Sequence, residues 1–130
     1  MKPIFKKLFF PYGLPISKRV RLGSIPYDSW DPPMTEAAFD AARTPKNLTS
    51  ATATANFWES KASRRNGDAP LLTLTESAGL TLTGATGYVY INITAANTIT
   101  LGYGTGYFEL DVEISGEDEK RFVAGDWEVG

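Results

Sequence analysis

The chain has 130 residues, 42% of them hydrophobic and 22% charged, with a formal charge of −2 and neither cysteine nor histidine. That length allows one core with appendages, and the composition excludes disorder over the whole chain. The missing residue types exclude a disulfide framework, a thiolate site and histidine acid–base chemistry.

The small net charge conceals an asymmetry. Residues 1–27 hold Lys2, Lys6, Lys7, Lys18, Arg19 and Arg21 and no acid, while residues 109–130 hold eight acids against Lys120 and Arg121. Prolines 3, 11, 15 and 26 interrupt the first segment, and it has no helical or strand period. Its apolar runs are broken by Lys6-Lys7 and Pro11, so a secretory signal is not expected. Nor is any run long enough for a helix to cross a bilayer. The expectation is an extended, irregular, basic and aromatic N-terminal arm over residues 1–34.

By propensity, Glu36 to Ala42 reads as a short helix. From Ala51 the pattern changes. "ATATANFW" alternates strictly, with Ala51, Ala53, Ala55 and Phe57 on one face and Thr52, Thr54, Asn56 and Trp58 on the other. A loop with an Asn66-Gly67 turn follows, then short strands over 71–75 and 79–83. Residues 87–94 place Val89, Ile91 and Ile93 on one face. "AANTITLGYGTG" reads as a connection with a helical turn at its start. "YFELDVEIS" alternates Phe108, Leu110, Val112 and Ile114 with Glu109, Asp111 and Glu113, which predicts one core face and one wet, acidic face. "GEDE" (116–119) reads as a hairpin tip, and the last strand carries Val123, Trp127 and Val129 in one phase. These elements predict an all-β, Ig-like antiparallel sandwich over residues 35–130.

The order and spacing of several motifs are similar to those of a family of small phage and prophage β-sandwich domains, including the N-terminal domain of upper baseplate proteins. Thr44-Pro45-Lys46-Asn47-Leu48-Thr49-Ser50-Ala51-Thr52 resembles the family's entry motif, and Asp68 to Thr75 resembles its "APLLTLT" element. An acidic alternating strand and a return strand with Gly125 before Trp127 and Val129 complete the likeness, which covers residues 43–130. The resemblance implies a strand rather than a helix over Thr35–Ala42. It implies a bacteriophage virion structural protein of the tail, neck (head-tail connector) or baseplate, assembled in the host cytoplasm. It brings no catalytic residues, cofactor or metal with it.

The residues themselves point the same way. Glu109, Asp111 and Glu113 are the candidates for acid–base work, but carboxylates at alternate positions of an exposed strand face are ordinarily a solvated surface. "GEDE" lacks the register and turn glycine of a calcium loop. "GYGTG" (102–106) precedes a strand rather than a helix, so it is not a dinucleotide fingerprint. An enzyme is not expected. A carbohydrate-binding module, reading a host-surface glycan with Trp58 or the Tyr88/Tyr90 face, is the rival from another class. A capsid decoration protein is the alternative within the same class.

The basic arm raises its own question. Ordering 27 residues costs about 27–40 kcal/mol, which takes on the order of 1,100–1,600 Å² of buried apolar surface to offset. The expectation is that the arm reaches a neighbouring subunit through Phe5, Phe9, Phe10 and Tyr12, with Lys6, Lys7, Lys18, Arg19 and Arg21 giving steering and register. Its partners would be other virion proteins and further copies of this chain. The alternative is that it wraps its own sandwich and covers an open sheet edge. The acidic body argues against nucleic acid as the arm's partner.

Overall fold

A computed structural model describes residues 4–24, 44–45, 47–114 and 121–130. The strands are β1 (Ile4–Phe10), β2 (Ile16–Arg21), β3 (Gly23–Ser24), β4 (Thr44–Pro45), β5 (Thr52–Trp58), β6 (Leu72–Thr75), β7 (Leu80–Thr83), β8 (Tyr88–Ile93), β9 (Gly104–Glu113) and β10 (Arg121–Val129). Two short helices, α1 (Lys61–Arg65) and α2 (Ala95–Leu101), join β5 to β6 and β8 to β9. One sheet has the order β1-β10-β9-β5-β6 and the other β2-β8-β7, while β3 and β4 form a small separate pair. The two main sheets pack face to face as an all-β sandwich.

The strictly alternating segments form strands because alternate side chains meet the opposite sheet. Ala53, Ala55 and Phe57 of β5, Phe108, Leu110 and Val112 of β9, and Val123, Trp127 and Val129 of β10 all point into the core. Leu80, Val89, Ile91 and Ile93 supply the facing layer. Phe57 stacks on Phe108 at 5.8 Å between centroids, and Phe10 meets Phe57 edge-on at 6.1 Å. The Trp127 indole lies over Gly106, where a Cβ would overlap it, and its Nε1 donates to the Trp58 carbonyl at 2.8 Å.

The N-terminal segment departs from expectation. Residues 4–21 are not an irregular arm: β1 pairs in parallel with β10, from Ile4 opposite Val123 to Phe10 opposite Val129. β2 pairs antiparallel with β8, from Ile16 opposite Ile93 to Arg21 opposite Tyr88. The sandwich therefore begins at Ile4 rather than at residue 35, and the β1–β10 pair breaks its otherwise antiparallel pattern. The physical reason is burial. Leu8, Phe10, Val20 and Leu22 are core residues, and β1 covers the edge that β10 would otherwise leave open. Pro11 and Pro15 bracket the turn that carries the chain from one sheet to the other, so they limit the two strands without breaking them. Residues 25–43, which include Trp30 and the helix-or-strand segment 35–42, lie outside the described residues, as does the 116–119 hairpin tip.

Both helices have local causes. Ser60 caps α1 by accepting from the Ser63 amide at 3.0 Å, inside the segment expected to be a plain loop. Thr94 and Asn97 form a reciprocal capping box that starts α2. Among the described residues, no helix is long and apolar enough to cross a membrane.

Candidate functional site

The sandwich presents two surfaces that packing does not use up. The first is the pole where the β1–β2 turn, α2 and the chain's last residue meet. The Tyr12 amide donates to the Gly130 carbonyl at 3.2 Å, and the Gly13 amide donates to Thr98 Oγ1 on α2 at 2.8 Å. Tyr12 stacks on Tyr103 with centroids 4.0 Å apart. Around this frame stand large apolar side chains that face solvent: Tyr103 is 72% exposed, Leu14 58%, Ile99 56% and Phe9 46%. Gly102 and Gly104, both at positive φ, shape the loop that carries Tyr103.

The second surface is the outer face of β2-β8-β7. Ser17 donates to Asn92 Oδ1 at 2.8 Å and Asn92 Nδ2 donates to Thr81 Oγ1 at 3.1 Å, forming a polar row across three strands. Beside it the Arg19 guanidinium lies 4.7 Å over the Tyr88 ring, and Tyr88 meets Tyr90 edge-on at 6.4 Å. By strand phase Arg19 and Arg21 belong to this face and Lys18 to the inward one, and the three strands hold no acid.

The residues expected to contact a partner divide among different places. Phe9 and Tyr12 belong to the pole. Phe10 is fully buried, because its phase on β1 faces inward, so it is a core residue and not a partner contact. Lys7 pairs with Glu128 at 3.2 Å on the outer face of the larger sheet. Lys6 is partly buried opposite Gly125. Arg19 is exposed on the outer face of β2, and Lys18 lies in the inward phase of that edge strand. The side chains of Phe5 and Arg21 lie outside the described residues. Sequence reasoning missed Leu14, Ile99 and Tyr103. The signal for two of them was present: a large apolar residue between Gly13 and Pro15, or between Gly102 and Gly104, sits in a turn where no core can cover it.

Two expected exposures are corrected. Glu109 is 4% exposed. It accepts from Arg64 of α1 at 3.2 Å and from the Tyr107 hydroxyl at 2.8 Å, because α1 folds over that part of the acidic face. Trp58 is only 9% exposed. Its ring stacks on Tyr107 at 6.1 Å and its Nε1 donates to the Asp68 carbonyl at 3.1 Å, which removes it as a sugar platform. Among the described residues, no three Asp or Glu side chains gather closely enough to hold a metal ion.

Fold and surfaces together define an all-β sandwich with an apolar pole and a basic, tyrosine-bearing sheet face. No family model matches the chain, and a search of curated proteins finds no match either.

Proposed function

We propose that this chain is a bacteriophage virion structural protein, a component of the tail, neck or baseplate that docks into a multi-subunit assembly and catalyses no reaction. The observation that carries this reading is the pole. Phe9, Leu14, Ile99 and Tyr103 expose apolar surface together, on a frame fixed by Tyr12, Gly13 and Gly130. A rigid aromatic and aliphatic cluster of this kind is the material of a protein–protein hot spot. The order and spacing of the motifs over residues 43–130 support the phage assignment. Docking passes from a free arm to this preformed surface, so binding does not require 27 residues to become ordered.

The test replaces Leu14 and Tyr103 with Ser in the phage or prophage that encodes the chain. Wild-type protein is expected in purified particles by mass spectrometry. The double variant, with its melting temperature within a few degrees of wild type, is expected to be absent from them. Wild-type particles that lack the chain, or normal incorporation of the folded variant, would overturn the reading.

A further inference from the structure

Phe9, Leu14, Ile99 and Tyr103 form one continuous patch at the pole. The Phe9 ring passes 3.7 Å from where a Cβ on Gly130 would stand, and the Gly130 carbonyl accepts from the Tyr12 amide at 3.2 Å. Tyr12 covers one face of the Tyr103 ring at 4.0 Å, and Tyr103 is otherwise open to solvent. Gly13 is tied to Thr98, the residue before Ile99, and Leu14 follows Gly13 in the same turn. The patch is also free of charged side chains. No Asp, Glu, Lys or Arg occurs in residues 8–15 or anywhere from 77 to 108, and these two segments supply all four exposed side chains. Lys7 and Glu128, which flank the patch on β1 and β10, pair with each other at 3.2 Å.

We infer that the pole of one copy packs against the pole of a second copy across a two-fold axis, with Leu14, Ile99 and Tyr103 of each at the contact. This names the partner of the surface proposed above and rests on that surface being a protein-docking site. A two-fold contact brings the same patch together twice, so any charge in it would meet its like. A patch without charge has nothing to repel. The contact is closed: it joins two copies and stops there, and it leaves the outer face of β2-β8-β7 to another component of the assembly.

Two features favour a second copy over other occupants. Selection of a different protein rests largely on complementary charge, which this patch does not carry. Attachment to a lipid surface is helped by Lys and Arg beside the apolar side chains, and residues 8–15 and 77–108 hold none. Size sets the expected strength. The four side chains, at roughly 150–250 Å² each and a little over half exposed on average, present about 400–500 Å². Two copies therefore bury about 800–1,000 Å² together, at the lower edge of specific interfaces. The contact is a weak one that copies held in an assembly reinforce. Being apolar, it survives salt that screens charges and gains from sulfate.

The experiment is sedimentation velocity on the purified full chain up to about 1 mM, in about 50 mM and about 500 mM sodium chloride. The sedimentation coefficient is expected to rise with concentration at both salts and to level off at the dimer. Sodium sulfate at about 0.5 M should shift the rise to lower concentration. Leu14→Asp and Ile99→Asp each place a charge in both halves of the contact and should weaken association at least about tenfold, with unchanged circular dichroism. Thr81→Asp, an exposed change on the smaller sheet, should dimerise like wild type. A monomeric wild type, growth beyond the dimer, association lost at high salt, Asp variants that associate like wild type, or a Thr81→Asp that fails to dimerise would each overturn the contact. So would binding of wild type, lost with Ile99→Asp, to phosphatidylcholine–phosphatidylglycerol vesicles, which would assign the pole to lipid. A chain that stays monomeric while its folded Leu14 and Tyr103 variant is still lost from particles would leave docking by the pole standing, with a different protein as its partner. A dimer that forms while wild-type particles lack the chain would overturn the virion reading alone.

Discussion

Gly125 faces Lys6 across the parallel β1–β10 register, and a Cβ there would overlap the backbone of Lys6. Its φ is not in the left-handed region, so the requirement for glycine is one of space rather than of backbone conformation. Gly125→Ala should push the two strands apart and cost about 1–3 kcal/mol, the range for overpacking a close contact. A urea midpoint that moves by less than the equivalent of about 0.5 kcal/mol would mean that β1 is not held against β10. Glu76 makes a different single-residue argument. Its carboxylate accepts from the Ala53 amide at 2.9 Å, and this bond, with one from its own amide, lowers its pKa below the ordinary carboxylate range. A carboxyl with a depressed folded pKa contributes stability that is fully present above its unfolded value, about 4.3, and is lost as pH falls through the folded value. Wild type should therefore exceed Glu76→Gln in stability by a constant margin above about pH 5, and the margin should shrink as the solution becomes more acid. Urea unfolding at stepped pH measures this, and a margin independent of pH down to acid unfolding would refute it.

Among the elements, legibility follows from who covers each face. β5, β8, β9 and β10 alternate cleanly because one side of each meets the core, and their inward residues are those the period-two pattern picks out. β1 hides its period. Its inward phase carries Lys6 with Leu8 and Phe10, and the opposite phase carries Phe9, which remains exposed at the pole. β2 does the same, with Lys18 between Ile16 and Val20. A lysine in an inward phase is tolerable because both strands lie at sheet edges, where a long side chain can carry its charge past the rim to water. α1 has no buried residue at all, so no apolar period could announce it. Its effect is nonlocal: Arg64 makes a buried partner of Glu109, which by strand phase alone belongs in water. The apolar pole was hard to read for a similar reason, since it joins residues near 9–14, 99–103 and 130 that only the packed sheets bring together.

For the molecule as a whole, the decisive pairing is the one that joins the chain's two ends. β1 lies beside β10 from Ile4 opposite Val123 onward, and the β1–β2 turn is tied to Gly130 by the Tyr12 amide. The larger sheet is therefore complete only when β1 and β10, far apart in sequence, have paired, and such long-range pairing is slow to form. Removing residues 1–10 should do more than trim a terminus. It takes Leu8 and Phe10 out of the core, and losses of this kind cost about 2–5 kcal/mol each when only the side chain is truncated. A domain of this size has a total stability of about 5–15 kcal/mol, so the deletion consumes a large part of it. It also exposes the full edge of β10, an invitation to pair with another chain. The shortened protein should therefore lose its sharp thermal transition and elute as aggregate in size-exclusion chromatography. A truncated monomer melting cooperatively within about 5 °C of the full chain, a shift worth only about 1–2 kcal/mol at this size, would mean that residues 1–10 decorate the sandwich rather than complete it. In that case they would again be available to reach a neighbouring subunit.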